Sequence, residues 1–477
     1  MRLPRVDWIH VLIGYADPSL RFVRRRNLAY LRVLTGRFVF WGGAVGVGLL
    51  AVAFAKLADW FGHQFLHAWQ WSFWLPLVLT PLGGALVVYL TRRFFPGSEG
   101  SGIPQAIASL SKKQENPARP LLSMRILVGK VFLGATAIGC GFSCGREGPT
   151  VQVDASLMNE IHRWLPRALH VRRQHLVVAG SAAGVAAAFN TPLAGVIFAI
   201  EEMSRSVEAR MSGIVITAIV LAGVVARVFL GGGHYYGHVL ITASPRDLFT
   251  SVAVASLVTG LAGGLFARML ITSSLRWTGR LADYRRAHPV RFAAFCGLLV
   301  AAIGLVTGGA TFGTGYEPTK AVLEGHANLS WTFAPFKFVS TVLSYIAGLP
   351  GGIFAPSLSI GAGLGHGMAP LFADSKAGGG MLTVLCMAGF LAAATQAPIT
   401  SFVIVMEMVD GYSQVIALMS VALLASGVSR LLSPPLYHTL AERYRDHEPQ
   451  PSPPPEPAEA IEERPAPAQP AISETKS

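Results

Sequence analysis

The sequence predicts an all-α polytopic membrane protein, and three observations support this fold class. The 477 residues are 52% hydrophobic and only 14% charged, whereas a soluble domain carries about 25% charged residues. The mean hydropathy is +0.48, and several apolar stretches approach the roughly 20 residues that a membrane-spanning helix requires. The 51 glycines are typical of closely packed and interrupted helices in lipid.

The apolar segments fall into two groups. Some are long enough to span a bilayer, namely residues 38–57, 73–90, 214–230, 252–271 and 292–306. Others are short or interrupted by glycine and proline, namely 103–110, 127–144, 149–157, 178–189, 192–200, 354–364, 382–394 and 398–406. Non-helical backbone at membrane depth is tolerated only where protein buries it or where it lines a cavity. Broken helices therefore predict a binding site near the middle of the membrane.

The charge pattern predicts orientation rather than a nucleic-acid partner. The formal net charge is +13, and excess Lys and Arg in a membrane protein marks cytoplasmic loops. An arginine cluster precedes the first long apolar run, which places the N-terminus in the cytoplasm: Arg21, Arg24, Arg25, Arg26, Arg32 and Arg37. Residues 1–36 lack a cleavable signal. The four cysteines, Cys140, Cys144, Cys296 and Cys386, lie in apolar stretches and are expected in the core.

The chain also repeats itself. Residues 184–201 and 390–407 each contain three alanines, then a proline, then an apolar stretch that ends in glutamate, at an offset of 206 residues. Residues 145–149 match 352–356 at an offset of 207. We expect one transport domain over 37–445, with halves of about 37–230 and 248–445, after a cytoplasmic segment over 1–36. The Pro- and Glu-rich residues 446–477 are predicted to be a disordered tail.

Three glycine–proline loops interrupt the apolar chain: residues 100–104 (GSGIP), 145–149 (GREGP) and 351–356 (GGIFAP). Each has glycines that free the backbone and a proline suited to be the first residue of a helix. A helix N-terminus presents free N–H groups and a partial positive charge, which attract anions. Three such termini at one point would replace the hydration shell of a halide without the tight grip of a full positive charge.

In this order, the three loops closely resemble the signature sequences of the chloride channel/transporter (CLC) family, and the resemblance extends from about residue 38 to 445. It implies a prokaryotic-type chloride/proton exchanger without C-terminal CBS domains, whose fold has two inverted-topology halves with broken, re-entrant helices. It also implies a homodimer with one pathway per subunit, in a bacterial inner membrane with both termini cytoplasmic. Chloride, protons and lipid are the expected partners, with no cofactor and no metal.

The resemblance also implies residue roles. The hydroxyls of Ser101 and Tyr437 and the backbone N–H groups of Ile353 and Phe354 would bind a central chloride ion, and serine at position 101 is the chloride-preferring form. The backbone N–H groups of Arg146, Glu147 and Gly148 would face an outer site. Glu147 would be the gate. A carboxylate at a helix N-terminus competes with chloride for the same donors, and protonation removes its charge.

Four further charged residues have expected roles. Glu202 matches the inner, proton-transfer glutamate of the family, whereas Glu201 is expected to make structural hydrogen bonds because Glu407 occupies its repeat position. The Arg146 side chain would balance charge or hold its loop. Lys130 would either attract anions through its long-range field or pair with an acid.

Other functions stay open at this point. A passive chloride channel of the same fold is the main alternative, and Glu202 argues against it because channels of the family commonly lose that acid. Ser101 and Tyr437 disfavour a fluoride exporter. A membrane-embedded hydrolase using Ser101 is a remote alternative, with Asp154 as the nearest candidate acid. A scaffold would not need anion-binding chemistry in both halves, and the chain has no Walker-type ATP-binding loop.

Overall fold

The computed structural model describes residues 18–110, 121–166, 171–203, 209–231, 233–237, 245–326, 329–372 and 378–445. This part of the chain is helical, with two isolated β-bridges. The helices of the first half are α1 Pro18–Trp71, α2 Pro76–Phe94, α3 Ile103–Ala108, α4 Met124–Gly139, α5 Glu147–Ile161, α6 Arg173–Phe189, α7 Pro192–Phe198 and α8 Ala209–Leu230. Those that follow are α9 Pro245–Ile271, α10 Arg280–Ala287, α11 Pro289–Val306, α12 Tyr316–Leu323, α13 Phe333–Ile346, α14 Phe354–Met368, α15 Gly378–Thr395, α16 Pro398–Met408, α17 Val415–Arg430 and α18 Leu436–Arg445.

The long and the short apolar segments both form helices as the sequence predicts. Six candidate spans occur in the described residues: Leu34–Trp71, Pro76–Phe94, Gly213–Leu230, Leu248–Arg276, Pro289–Val306 and Tyr412–Arg430. The last of these was not named from the sequence. The interrupted segments give helices too short to cross a bilayer, such as α3 with six residues and α7 with seven. Multi-pass membrane insertion follows from this set of helices.

The short helices form the core, and glycine lets them approach closely. A Cβ atom at Gly361 of α14 would lie 2.4 Å from the Cys386 carbonyl oxygen in α15, and one at Gly365 would lie 2.5 Å from that of Leu382. In the first half, a Cβ at Gly180 of α6 would lie 2.5 Å from the Asp154 carbonyl oxygen in α5. All four cysteines are buried and free, as expected for core residues.

Helices α7 and α16 cap each other across the two halves. The Glu201 carboxylate accepts hydrogen bonds from the backbone N–H groups of Ile399 and Thr400, at 3.1 and 2.6 Å, in the first turn of α16. Glu407, at the end of α16, accepts two from the first turn of α7, at 3.2 and 2.8 Å. The two helices therefore run antiparallel. This exchange confirms the structural role that the repeat predicts for Glu201.

The division of the chain into segments stays a prediction. Helix α1 runs through residue 36, where the sequence analysis places the end of the cytoplasmic segment. The predicted tail, 446–477, lies outside the described residues, as do the side chains of all the clustered arginines except Arg37.

Replacing Glu201 with alanine should lower the apparent melting temperature of the detergent-purified protein. The substitution removes the acceptor for two N–H groups at the start of α16, and the loss of a helix cap costs about 0.5–2 kcal/mol. Glu201→Gln keeps one carbonyl acceptor and should lose less. Exposed Glu317 provides the control, as Glu317→Ala should leave the melting temperature unchanged. A Glu201→Ala protein as stable as the wild type would contradict the reciprocal capping.

Candidate functional site

Backbone hydrogen bonds join the three glycine–proline loops to one another. Gly145 and Gly352 exchange a reciprocal pair, with N–O distances of 2.8 and 2.7 Å. The Gly100 N–H donates to the Leu349 carbonyl at 3.0 Å, and the Gly351 N–H donates to the Gly100 carbonyl at 3.1 Å. The loop of residues 351–356 is thus bonded to both of the others, which is the convergence that the sequence analysis expects.

The helices that leave these loops begin before their prolines, so the expectation that each proline is the first helical residue is wrong. Pro104 is the second residue of α3, and Pro149 and Pro356 are the third residues of α5 and α14. No N–H group in the first turn has an acceptor within its own helix, so proline is tolerated throughout that turn. The N–H groups of Glu147 and Phe354, the first residues of α5 and α14, are therefore available to a ligand.

Ser101 and Tyr437 come together beside the joined loops. Both side chains are buried, and their hydroxyls face each other closely enough to interact. Neither hydroxyl, however, makes a hydrogen bond of ordinary geometry with any described residue. The Phe354 ring packs 5.9 Å from that of Tyr437, centroid to centroid. Ile353 and Phe354 are equally buried, so the residues expected to bind the central chloride ion lie together away from solvent.

Close approach at this point requires glycine. A Cβ at Gly148 would lie 2.5 Å from Ser101 Oγ and 3.3 Å from Gly352 Cα. Gly102 has a φ of 99°, in the left-handed region, and a Cβ there would lie 2.8 Å from that of Gln152. The first turn of α5 therefore touches both other loops directly.

The Glu147 side chain turns back over the start of its own helix. Its carboxylate lies beside the backbone N–H groups of Glu147 and Ala355, which belong to the first turns of α5 and α14. Neither oxygen makes a hydrogen bond of ordinary geometry with a described residue, and the side chain is almost completely buried. The carboxyl group thus lies where two helix N-termini meet, an environment that attracts anions.

The side chain of Arg146 is directed to α1 instead of to this pocket. Its Nη1 atom donates to the Ala55 carbonyl at 2.7 Å and forms an ion pair with Asp59. The guanidinium is mostly buried and Asp59 is exposed. Arg146 therefore anchors the loop to α1, one of the two roles that the sequence left open.

Lys130 makes contacts that the sequence analysis did not consider, and its expected effect on anions through a long-range field stays a prediction. Its Nζ atom donates to the carbonyls of Ser98 and Gly100, at 2.9 and 2.7 Å, and holds the loop that precedes α3. Lys337, 207 residues further on, does the same for Thr311 and Gly313, at 2.9 and 2.8 Å. This separation of 207 residues equals the offset between the loops 145–149 and 352–356. The internal repeat could therefore have predicted the role of Lys337.

Glu202 lies away from the joined loops, in a π-helical turn, Ala199–Met203, that continues α7. Single π-helical turns often occur at functional sites. Its Oε1 atom is 3.9 Å from His438 Nε2, and both residues line a cavity of about 380 Å³. Glu202 also acts electrostatically on Tyr437, the residue before His438. Tyr437 thus stands between the anion pocket and this cavity.

Sequence reasoning missed several neighbours of the site. Asp59 and His438 have no motif of their own, and the sequence analysis gave no role to Phe189, whose ring lies 5.9 Å from that of Phe354. No cluster of three or more potential metal-binding side chains occurs among the described residues.

This chain matches one known protein family over most of its length. A family model described as voltage gated chloride channel matches residues 83–430. The chain belongs to this family. The H(+)/Cl(-) exchange transporter ClcA of Cronobacter sakazakii is 32% identical over 455 residues, which cover 89% of this chain and 95% of that protein. ClcA of Klebsiella pneumoniae is 30% identical over 451 residues, covering 89% and 93%.

Solved structures agree on the fold. A slow cyanobacterial Cl⁻/H⁺ antiporter superposes with a TM-score of 0.74 at 25% identity, over 86% of this chain and 98% of that one. A CLC-type fluoride/proton antiporter superposes with a TM-score of 0.70 at 23% identity, over 86% and 98%. The chain therefore has the CLC fold of two inverted halves, as the antiparallel caps between α7 and α16 also indicate.

Replacing Gly148 with alanine should weaken chloride binding roughly tenfold or more, because displacement of the Ser101 hydroxyl removes a hydrogen bond to a charged ion, which is worth about 1.5–3 kcal/mol, and about 1.4 kcal/mol is a factor of ten. The new methyl group would overlap Ser101 Oγ at the centre of the joined loops. Calorimetric titration of the detergent-purified protein with chloride measures the effect. Gly42→Ala in α1 is the matched control, since no atom lies within 4 Å of its Cβ position. Unchanged chloride affinity in Gly148→Ala would show that the ion binds elsewhere.

Proposed function

We propose that this protein is a secondary active transporter that exchanges chloride for protons across a membrane. The observation that carries the proposal is the position of the Glu147 carboxylate, which lies where the N-termini of α5 and α14 meet. A side-chain anion there competes with a free anion for the same donors. The family membership and the names of the ClcA relatives support chloride and protons as the two ions.

The central anion site consists of the Ser101 and Tyr437 hydroxyls and the backbone N–H groups of Ile353 and Phe354. The backbone N–H groups of Arg146, Glu147 and Gly148 form the outer site, in the first turn of α5. All of these donors are neutral, and the nearby arginine side chain is held by α1. Binding by dipoles is strong enough to replace water and weak enough to release the ion, as rapid transport requires.

Glu147 couples the two ions. When ionised, its carboxylate occupies the anion position and closes the path. When a proton binds, the carboxyl loses its charge and its attraction to the helix N-termini, so it leaves and chloride takes its place. Departure of the chloride and of the proton restores the closed state. A single acid thereby links the movement of one ion to that of the other.

Glu202 supplies the second proton site. Its side chain is only 5% exposed and borders the cavity on the far side of Tyr437. A buried acid beside a cavity fits a proton acceptor better than a solvated surface residue. Protons would pass from the cavity to Glu202 and then to Glu147, while chloride passes through the Ser101 and Tyr437 site.

The remaining assignments follow from the resemblance. The family resemblance implies a homodimer with a separate pathway in each subunit. We place the protein in a bacterial inner membrane, with both termini in the cytoplasm and residues 446–477 as a tail outside the transport domain. Neither a cofactor nor a metal enters this mechanism, and no enzymatic step is required.

The test is proton movement in proteoliposomes driven by an imposed chloride gradient. The wild type should move protons uphill, and Glu147→Gln and Glu202→Gln should both abolish this while chloride flux continues, because each variant lacks one proton site. Glu317→Gln, at an exposed position, should behave like the wild type. Chloride flux without proton movement in the wild type would identify a passive channel of the same fold.

A further inference from the structure

The cavity beside Glu202 forms where several helix ends meet. The π-helical turn after α7, the end of α15, the end of α17 and the start of α18 surround it. Its lining residues are Glu201, Glu202, Thr395, Gln396, Arg430, Ser433, Pro434, Pro435 and His438. The charged or titratable ones among them are two acids, one arginine and one histidine, an unusual concentration in a chain with so few charges.

Two of these four groups are committed to other tasks. The Glu201 carboxylate caps α16, and the guanidinium of Arg430 keeps its proton at any physiological pH. Glu202 and His438 remain, an acid and a base that lie next to each other and can exchange a proton. Histidine is suited to this because its ordinary pKa is about 6.5.

The positions of His438 and Glu202 indicate the order in which a proton from the cavity would reach them. The distance from His438 Nε2 to Glu202 Oε1 is 3.9 Å, slightly beyond the usual hydrogen-bond range of about 2.7–3.2 Å. One bridging water or a small rotation of the imidazole closes that gap. The His438 side chain is 25% exposed and that of Glu202 only 5%. A proton entering from the cavity therefore meets the imidazole first.

The elements packed against α18 carry few charged residues. Helix α18 packs against α3, α9, α15 and the π-helical turn Thr272–Arg276. Helices α3 and α15 carry no charged residue. The described charges on the other two elements are Arg268 and Arg276, and α18 itself carries Glu442, Arg443 and Arg445. Within the cavity, the two acids favour the imidazolium form and Arg430 opposes it.

We propose that His438 is a proton-relay residue that takes protons from this cavity and passes them to Glu202. The proposal rests on the chloride/proton exchange proposed above. In the transfer, the Nε2–H proton of the imidazolium moves to the Glu202 carboxylate, which leaves a neutral imidazole and a neutral carboxylic acid. Water in the cavity then reprotonates the imidazole, and Glu202 passes its proton towards Glu147.

The first turn of α18 contributes one residue to the proposed chloride pathway and the next residue to the proposed proton pathway. Successive residues of a helix point about 100° apart. Tyr437 accordingly faces Ser101 and Phe354, while His438 faces Glu202. Adjacent residues thus contribute to the anion site and to the proton entry.

The experiment compares proton and chloride fluxes of His438→Gln with the wild type, at equal pH on both sides and under a chloride gradient. Proton flux should fall about tenfold or more, since a positioned acid–base group contributes about 10²–10⁴-fold, and chloride flux should continue. Wild-type proton flux should decline as rising pH removes the proton of the imidazole, and this pH dependence should vanish in the variant. His63→Gln, at an exposed position in α1, is the matched control.

His438→Asn is the second variant, because asparagine places its amide near the Nδ1 position and glutamine near Nε2. A variant that keeps chloride flux is folded, and its proton flux then decides whether His438 is a proton relay. Wild-type proton flux and an unchanged pH profile in that variant would overturn the relay, as would a proportional fall in both fluxes. If the exchange proposal itself is wrong, the wild type will also move no protons, which distinguishes that result from a failure of the relay alone.

Discussion

The reciprocal hydrogen bonds between Gly145 and Gly352 hold together the first turns of two helices from opposite halves of the chain. An anion in a membrane needs hydrogen-bond donors to replace its hydration shell. These turns supply N–H groups that have no carbonyl acceptor within their own helix. The lack of a side chain at Gly148 and Gly352 allows the approach. The Glu147 carboxylate lies at this junction, and we propose that it competes there with a free anion.

Full positive charges are close to the site but are used elsewhere. Arg146 is held by α1, and Lys130 and Lys337 hold loops through backbone carbonyls. A buried cation is costly unless it is hydrogen-bonded or paired, and these contacts meet that need. In the anion site that we propose, the donors are backbone N–H groups and two hydroxyls. We propose that this separation allows an anion to enter the membrane and still be released.

Much of the fold and the site could be predicted because local sequence determines them. Glycine and proline indicated where the helices break, and the repeat predicted a structural role for Glu201, although its partners at the start of α16 came only from the structure. The exact helix starts were misjudged, since proline is tolerated anywhere in a first turn. The contacts of Lys130, the Asp59 partner of Arg146 and the place of His438 could not be predicted. They depend on tertiary contacts between residues far apart in the sequence, and no motif encodes them.

The most direct test of the central claim is to locate a halide in crystals of the protein soaked in bromide, using anomalous diffraction. The account predicts an anomalous peak within hydrogen-bonding distance of Ser101 Oγ, the Tyr437 hydroxyl and the backbone N–H groups of Ile353 and Phe354. In crystals of Glu147→Gln, it predicts a further peak at the position of the Glu147 carboxylate. Bromide bound only outside the junction of the three loops would contradict the account.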